Sequence, residues 1–131
     1  RSYVDNIPVL GVPKFLNQKI IIATGSGYGG VDWTRYSVSG IVPEGTKAVI
    51  LEYVAAMNGP DGGDVDAHIM VRKAPGSIEL VLLRGRSASS GDNVGWGGQG
   101  ICPLADDLSF EYHIGHPGFN LGWSISLVGY Y

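Results

Sequence analysis

The sequence predicts an all-β chain: an antiparallel β-sandwich, jelly-roll-like, with about eight strands and an extended N-terminal arm. Three observations carry this reading. Apolar and polar residues alternate with a period of two in several short runs, which is how a strand buries one face. Clusters of Gly, Pro, Asn and Asp separate those runs at short intervals. No stretch has the period of an amphipathic helix, and no repeat of solenoid or propeller length is visible. The 131 residues suit one domain, and 44% hydrophobic against 16% charged is too apolar for a disordered chain. The 21 glycines show no G-x-y period, so collagen is excluded and they read as turns and bulges.

Residues 1–18 read as the arm and 19–131 as the sandwich domain. Pro8 and Pro13 forbid a regular helix or a central strand in the arm. Ile7, Val9, Leu10, Val12, Phe15 and Leu16 nevertheless make it too apolar to lie free in water. It either packs over its own sandwich or docks on a neighbouring subunit. In the second case these six side chains are subunit contacts, and exposed sheet edges and Gly-rich loops complete the contact.

The strands then follow in order. Lys19 to Thr24 is a β-branched run stopped by the glycines of 25–30, and Asp32 to Ser39 alternates loosely around Trp33, Tyr36 and Val38. The turn Pro43-Glu44-Gly45-Thr46 leads into Lys47 to Ala55, assigned to strand for its β-branched and aromatic residues. In Asp66 to Lys73, Ala67, Ile69 and Val71 share one face, and His68, Met70 and Arg72 the other. After the turn at Ala74-Pro75-Gly76-Ser77, Ile78 to Arg84 is apolar on both faces and reads as a central strand. Residues 85–100 read as a polar, Gly-rich loop ahead of a short strand at Ile101 to Leu104. Phe110, Tyr112 and Ile114 point inward from 109–114, and Trp123, Ile125 and Leu127 share a face of the last strand, 122–131.

Several function classes are excluded or left bare. Net charge is −3, and Arg72-Lys73 and Arg84-Gly85-Arg86 are the largest basic pieces, so no nucleic-acid face is expected. No run approaches the roughly 18 apolar residues of a membrane span, no secretory signal pattern opens the chain, and no glycosylation sequon is present. The start at Arg1 suits a processed product, a fragment or a chain whose beginning is unidentified. Cys102, alone, has no internal disulfide partner and reads as a buried, inert thiol.

No catalytic motif appears: there is no nucleophile elbow or phosphate loop, and Glu44, Glu52, Glu79 and Glu111 are scattered over different strands. The reading is therefore not an enzyme, with no required cofactor. His68, His113 and His116 lack metal-ligand spacing. Asp61, Asp64 and Asp66 offer oxygen ligands for Ca²⁺ on a Gly-rich turn, but the set is short of a full site and a solvated turn explains it as well. Trp96, within Gly95-Trp96-Gly97-Gly98-Gln99, and Tyr28 read as loop aromatics. They could stack on a sugar, with Asp92, Asn93 and Gln99 as hydrogen-bonding neighbours, or Trp96 could fold back to cap the sandwich.

The turns at 42–48 and 71–77, with the terminal Ser126-Leu127-Val128-Gly129-Tyr130, resemble small β-sandwich modules of phage fibres and other virion surface proteins over residues 32–131. The resemblance is one of layout and transfers no functional residue. It implies a structural, self-assembling module of a virion surface or extracellular fibre, partnered by its own copies or by other structural subunits. The alternative is a lectin-like, carbohydrate-binding module.

Overall fold

The computed structural model describes residues 11–27, 29–58, 65–76, 78, 80–87, 93–115 and 121–131. Eight strands follow in order: β1 (Lys14–Gly27), β2 (Val31–Ser37), β3 (Ala48–Asn58), β4 (Val65–Lys73), β5 (Leu80–Ser87), β6 (Asn93–Pro103), β7 (Ser109–Ile114) and β8 (Leu121–Tyr130). They form two four-stranded antiparallel sheets, ordered β1-β8-β3-β6 and β2-β7-β4-β5. The ladders β1–β8, β2–β7, β3–β6 and β4–β5 are those of one long ribbon, its first half running against its second. Two more ladders, β3–β8 and β4–β7, roll the ribbon into two facing layers. This is the jelly-roll connection. Among the described residues no helix is long and apolar enough to cross a membrane.

The period-two pattern places the core between the layers. Val49, Leu51 and Ala55 of β3 meet Leu121, Ile125 and Leu127 of β8 and Cys102 of β6. Ile69 and Val71 of β4 and Phe110 and Ile114 of β7 face them from the other sheet, with Val38, Val42, Leu104 and Leu108 closing one end. Each such side chain contributes about 1.5–3 kcal/mol on burial, against about 0–1 kcal/mol for an exposed ion pair. The interleaved apolar faces therefore decide the fold. Burial also pushes the Cys102 thiol up to about 12, as the inert-thiol reading requires.

Turn chemistry agrees with the sequence. Gly45 takes φ 83°, which a type II turn needs at that position, and both the N–H and the hydroxyl of Thr46 donate to the Pro43 carbonyl, at 3.3 and 2.6 Å.

Three boundaries differ from the sequence reading. β1 starts at Lys14, so 14–18 belong to the sheet rather than to an arm. Pro13 stands just before the strand, and β1 is an edge strand, where proline is tolerated. Ile78 precedes β5 and is exposed, so the fifth strand starts later than the apolar run suggested, and β5 lies at the edge of its sheet rather than at the centre as the apolar run implied. The region read as a loop over 85–100 is largely strand: β5 runs to Ser87 and β6 begins at Asn93.

The glycines of β6 are a packing device. Gly98 pairs with Tyr53, and a Cβ on Gly98 would come within 2.8 Å of the tyrosine hydroxyl. On the opposite edge Gly25 pairs with Trp123, where a Cβ would meet the indole ring at 2.8 Å. Each edge strand thus gives up a side chain to make room for a large ring on its inner neighbour.

Two outcomes test this packing. Gly25→Ala should destabilise the protein by about 1–3 kcal/mol, because the Trp123 ring is wedged in the core and yields poorly, whereas Ser26→Ala should stay within about 0.5 kcal/mol. Urea unfolding of the two variants gives the comparison, and equal midpoints would contradict the wedge. A thiol reagent at pH 8 should leave Cys102 unmodified in the native protein and react fully in denaturant; rapid native labelling would contradict its burial.

Candidate functional site

Both sheets turn one face outward, and the two faces differ in chemistry. On the first sheet, register places residues in rows across all four strands. Phe15, Gly129, Ile50 and Ile101 make one row; Ile21, Ser126, Glu52 and Gln99 the next; Thr24, Ser124, Val54 and Gly97 a third. Directly paired residues share a face, so these rows alternate with the inward set of Leu51, Ile125 and Leu127. Phe15 is 66% exposed, Ile21 61%, Val54 47% and Ile101 44%. Of the two inner strands, β8 contributes small residues to this face, Ser124, Ser126 and Gly129, and β3 contributes Ile50, Glu52 and Val54; a Cβ on Gly129 would come within 3.2 Å of the Phe15 ring and 3.1 Å of Ile50. Lys19 donates to Glu52 at 3.1 Å over the middle of the face.

The second sheet turns out a self-contained polar and aromatic cluster drawn from β2, β4 and β7. The Arg72 guanidinium lies 3.8 Å above the Trp33 ring, and its Nε donates to Glu111 Oε1 at 2.7 Å. The same carboxylate oxygen accepts the Gly76 N–H at 3.1 Å. The far side of the cluster is aromatic: Trp33 and His113 are 5.1 Å apart, and His113 stacks nearly parallel on His68 at 6.0 Å. The His68 ring fills the place where a Cβ of Gly115 would stand, and Gly115 donates its N–H to the His68 carbonyl at 2.9 Å. Lower on the same face Arg35 donates to Asp107 at 2.6 Å and to the Ser109 hydroxyl at 3.1 Å. The Arg72 hydrogen bond holds the Glu111 carboxyl below its ordinary range against the opposing effect of burial, with the Gly76 N–H adding to it. Asp107 is lowered as well, first by the Ser109 hydroxyl and then by Arg35, again against desolvation.

The cluster adjoins an open cleft of about 300 Å³ lined by Gly29, Gly30, Val31, Asp32, His113 and Ile114. Among the described residues no group of three or more His, Cys, Asp or Glu gathers as a metal site.

The residues singled out from sequence fall as follows. Trp96 and Gln99 stand on strand β6 rather than on a loop. Trp96 turns inward and is half-buried against the core, while Gln99 is exposed on the opposite face, so this indole offers no stacking platform beside Gln99. The glycines around Trp96 suggested a loop because their partner, the Tyr53 ring, is distant in sequence. Asn93 opens β6 opposite Asn58. Asp66 lies on strand β4. Tyr28, Asp92, Asp61 and Asp64 lie outside the described residues, as do Ile7, Val9 and Leu10. Of the remaining arm residues, Val12 and Phe15 are exposed and Leu16 packs partly against the core. His116 lies outside the described residues, while His68 and His113, far apart in sequence, are brought together. The Trp33–Arg72–Glu111 grouping escaped sequence reasoning; the only signal was that His68 and Arg72 share the outward face of one strand and Glu111 and His113 that of another.

No family model and no curated protein matches the chain. Among solved structures it is similar to a chain of the structure of infectious bursal disease virus Gx strain, at 15% identity and a TM-score of 0.44, over 95% of this chain and 36% of that one. It is also similar to a chain of T=1 particles derived from infectious bursal virus, at 15% identity and a TM-score of 0.41, over 92% and 32%. A chain of the Gt strain structure gives 14% identity and a TM-score of 0.43, also over 92% and 32%. This chain thus spans about a third of the length of the chains it matches.

The Glu111 site gives a pH prediction. A carboxyl held below its unfolded value of about 4.3 stabilises the fold above that pH, and the contribution disappears as pH falls through the folded value. Glu111→Gln should cost about 1–3 kcal/mol at pH 7 by weakening a largely buried, charge-assisted bond. It should also flatten the loss of stability as pH falls below the unfolded value of about 4.3. Denaturant titrations at several pH values check this; parallel pH profiles for parent and variant would refute it.

Proposed function

We propose that the chain is a non-catalytic structural module of a virion surface or an extracellular fibre, assembling with its own copies or with other structural subunits. Jelly rolls serve in both capsid and lectin domains, so architecture alone leaves assembly and sugar binding standing, and surface chemistry has to separate them. The observation that carries the assembly reading is the edge strand β1. Val12, just before it, is 81% exposed, and Phe15 and Ile21 follow along the strand, also exposed. Apolar side chains on a free sheet edge are a hazard for a solitary domain and an asset for one that docks. The sugar reading is disfavoured by the inward packing of Trp96.

In this proposal the residues ahead of β1 dock on a neighbouring subunit, and the start of β1 continues the contact. Removing 1–13 leaves every described strand intact. The truncated protein should keep the parent's circular dichroism and melting temperature within a few degrees but lose its higher-order species in light scattering. Unchanged oligomers after the truncation would overturn the docking role.

A further inference from the structure

We infer that the outward face of the β1-β8-β3-β6 sheet is a self-association surface, which meets the same face of a second copy about a two-fold axis. The inference rests on the assembly reading and names the partner and the contact.

Charge is the first argument for a second copy. Across the rows from Phe15–Ile101 to Thr24–Gly97, the charged groups among the described residues are Lys19 and Glu52, which pair with each other. A neutral face holding one cation and one anion is complementary to itself. In a two-fold contact Lys19 of each copy can reach Glu52 of the other, and no like charges are forced together. A partner chosen by a strong field of one sign would leave one of these two groups opposed.

Shape is the second argument. Gly129, Ser126 and Ser124 keep the β8 line of the face low and Gly97 leaves a gap on β6, while Phe15 and Ile21 on β1, Val54 on β3 and Ile101 on β6 stand above them. Projections over a floor of small residues let two sheets interdigitate at ordinary sheet-packing distance, about 10 Å.

Area is the third. With strands about 4.8 Å apart and a rise of about 3.4 Å per residue, four strands by the eleven residues of β3 cover about 700 Å². That approaches the roughly 800 Å² per partner of a stable pair. It also predicts a contact of modest strength that tightens when the arm engages as well.

The test uses the full chain in sedimentation velocity over a range of concentrations. The parent should show a concentration-dependent dimer. Val54→Lys with Ile101→Lys, both on exposed positions remote from the arm, should shift the midpoint at least tenfold to higher concentration. K19E and E52K separately should associate weakly, each face now carrying two like charges, and an equimolar mixture of the two should recover a heterodimer. Should the double lysine variant fail to fold, the K19E and E52K mixture decides alone. Association unaffected by the lysines, or no recovery on mixing, overturns the face while leaving arm-mediated assembly in place. A parent that stays monomeric at every concentration overturns self-association through this face and leaves of the assembly reading only docking to other structural subunits.

Discussion

Because β8 is hydrogen-bonded to β1 on one side and to β3 on the other, its ladder with β3 is the spine on which both layers depend. Leu51 opposes Leu127, Tyr53 opposes Ile125 and Ala55 opposes Trp123. A shift of one residue in this ladder would turn all of them toward solvent. The chain ends of the domain meet here, since β1 is the first described strand and β8 the last. The ribbon can therefore close only after most of the sequence is available, which is costly in loop entropy and slow for such a topology. The apolar periodicity of β8, the clearest in the sequence, is what makes that late closure favourable.

The spine also divides the surface into two kinds. On the second sheet the described outward side chains of β2, β4 and β7 hold one another: Arg72 is held by Glu111 and stacked on Trp33, Trp33 packs on His113, and His113 on His68. A new ligand for this guanidinium would have to compete with the Glu111 carboxylate and the Trp33 ring that already hold it. The first sheet has no such lattice. Among the described residues its ion pair is Lys19–Glu52, and the exposed Phe15, Ile21, Val54 and Ile101 around it have no polar groups of their own, so covering them gains hydrophobic free energy and breaks little. The inequality between the faces, more than either face alone, points outward association to the first sheet.

How much of this could be read from sequence depends on whether the signal is local. All eight strands left a trace, because period-two alternation and turn residues are properties of neighbours along the chain. The sandwich class followed from them. The extent of β6 did not, since Gly95, Gly97, Gly98 and Gly100 look like a loop until Tyr53 is placed against Gly98. The early start of β1 was hidden by Pro13, which forbids a central strand but not an edge. Of the candidate site, Phe15 is legible in sequence as an apolar residue beside Pro13, and the structure shows it exposed. The row joining it to Ile50 and Ile101 depends on register across three ladders, and no single stretch of sequence carries that information.

Edge pairing and face packing compete as ways to join such domains, and the strand geometry decides between them. β1 has register shifts between Phe15 and Ile20 and between Ile21 and Ala23, which break the even row of donors and acceptors that an added strand needs. Lys14 and Lys19 place charge on the same edge. The other edge, β6, ends at Pro103, which has no N–H to offer. Continuous edge-to-edge growth is therefore obstructed at both ends of the sheet, and open-ended growth is the usual route to aggregation. Face packing escapes these obstacles, because it uses side chains and leaves the ladders alone. A two-fold contact between faces also closes on itself, so the same exposed apolar groups that would be a liability along an edge can be buried in a finite assembly.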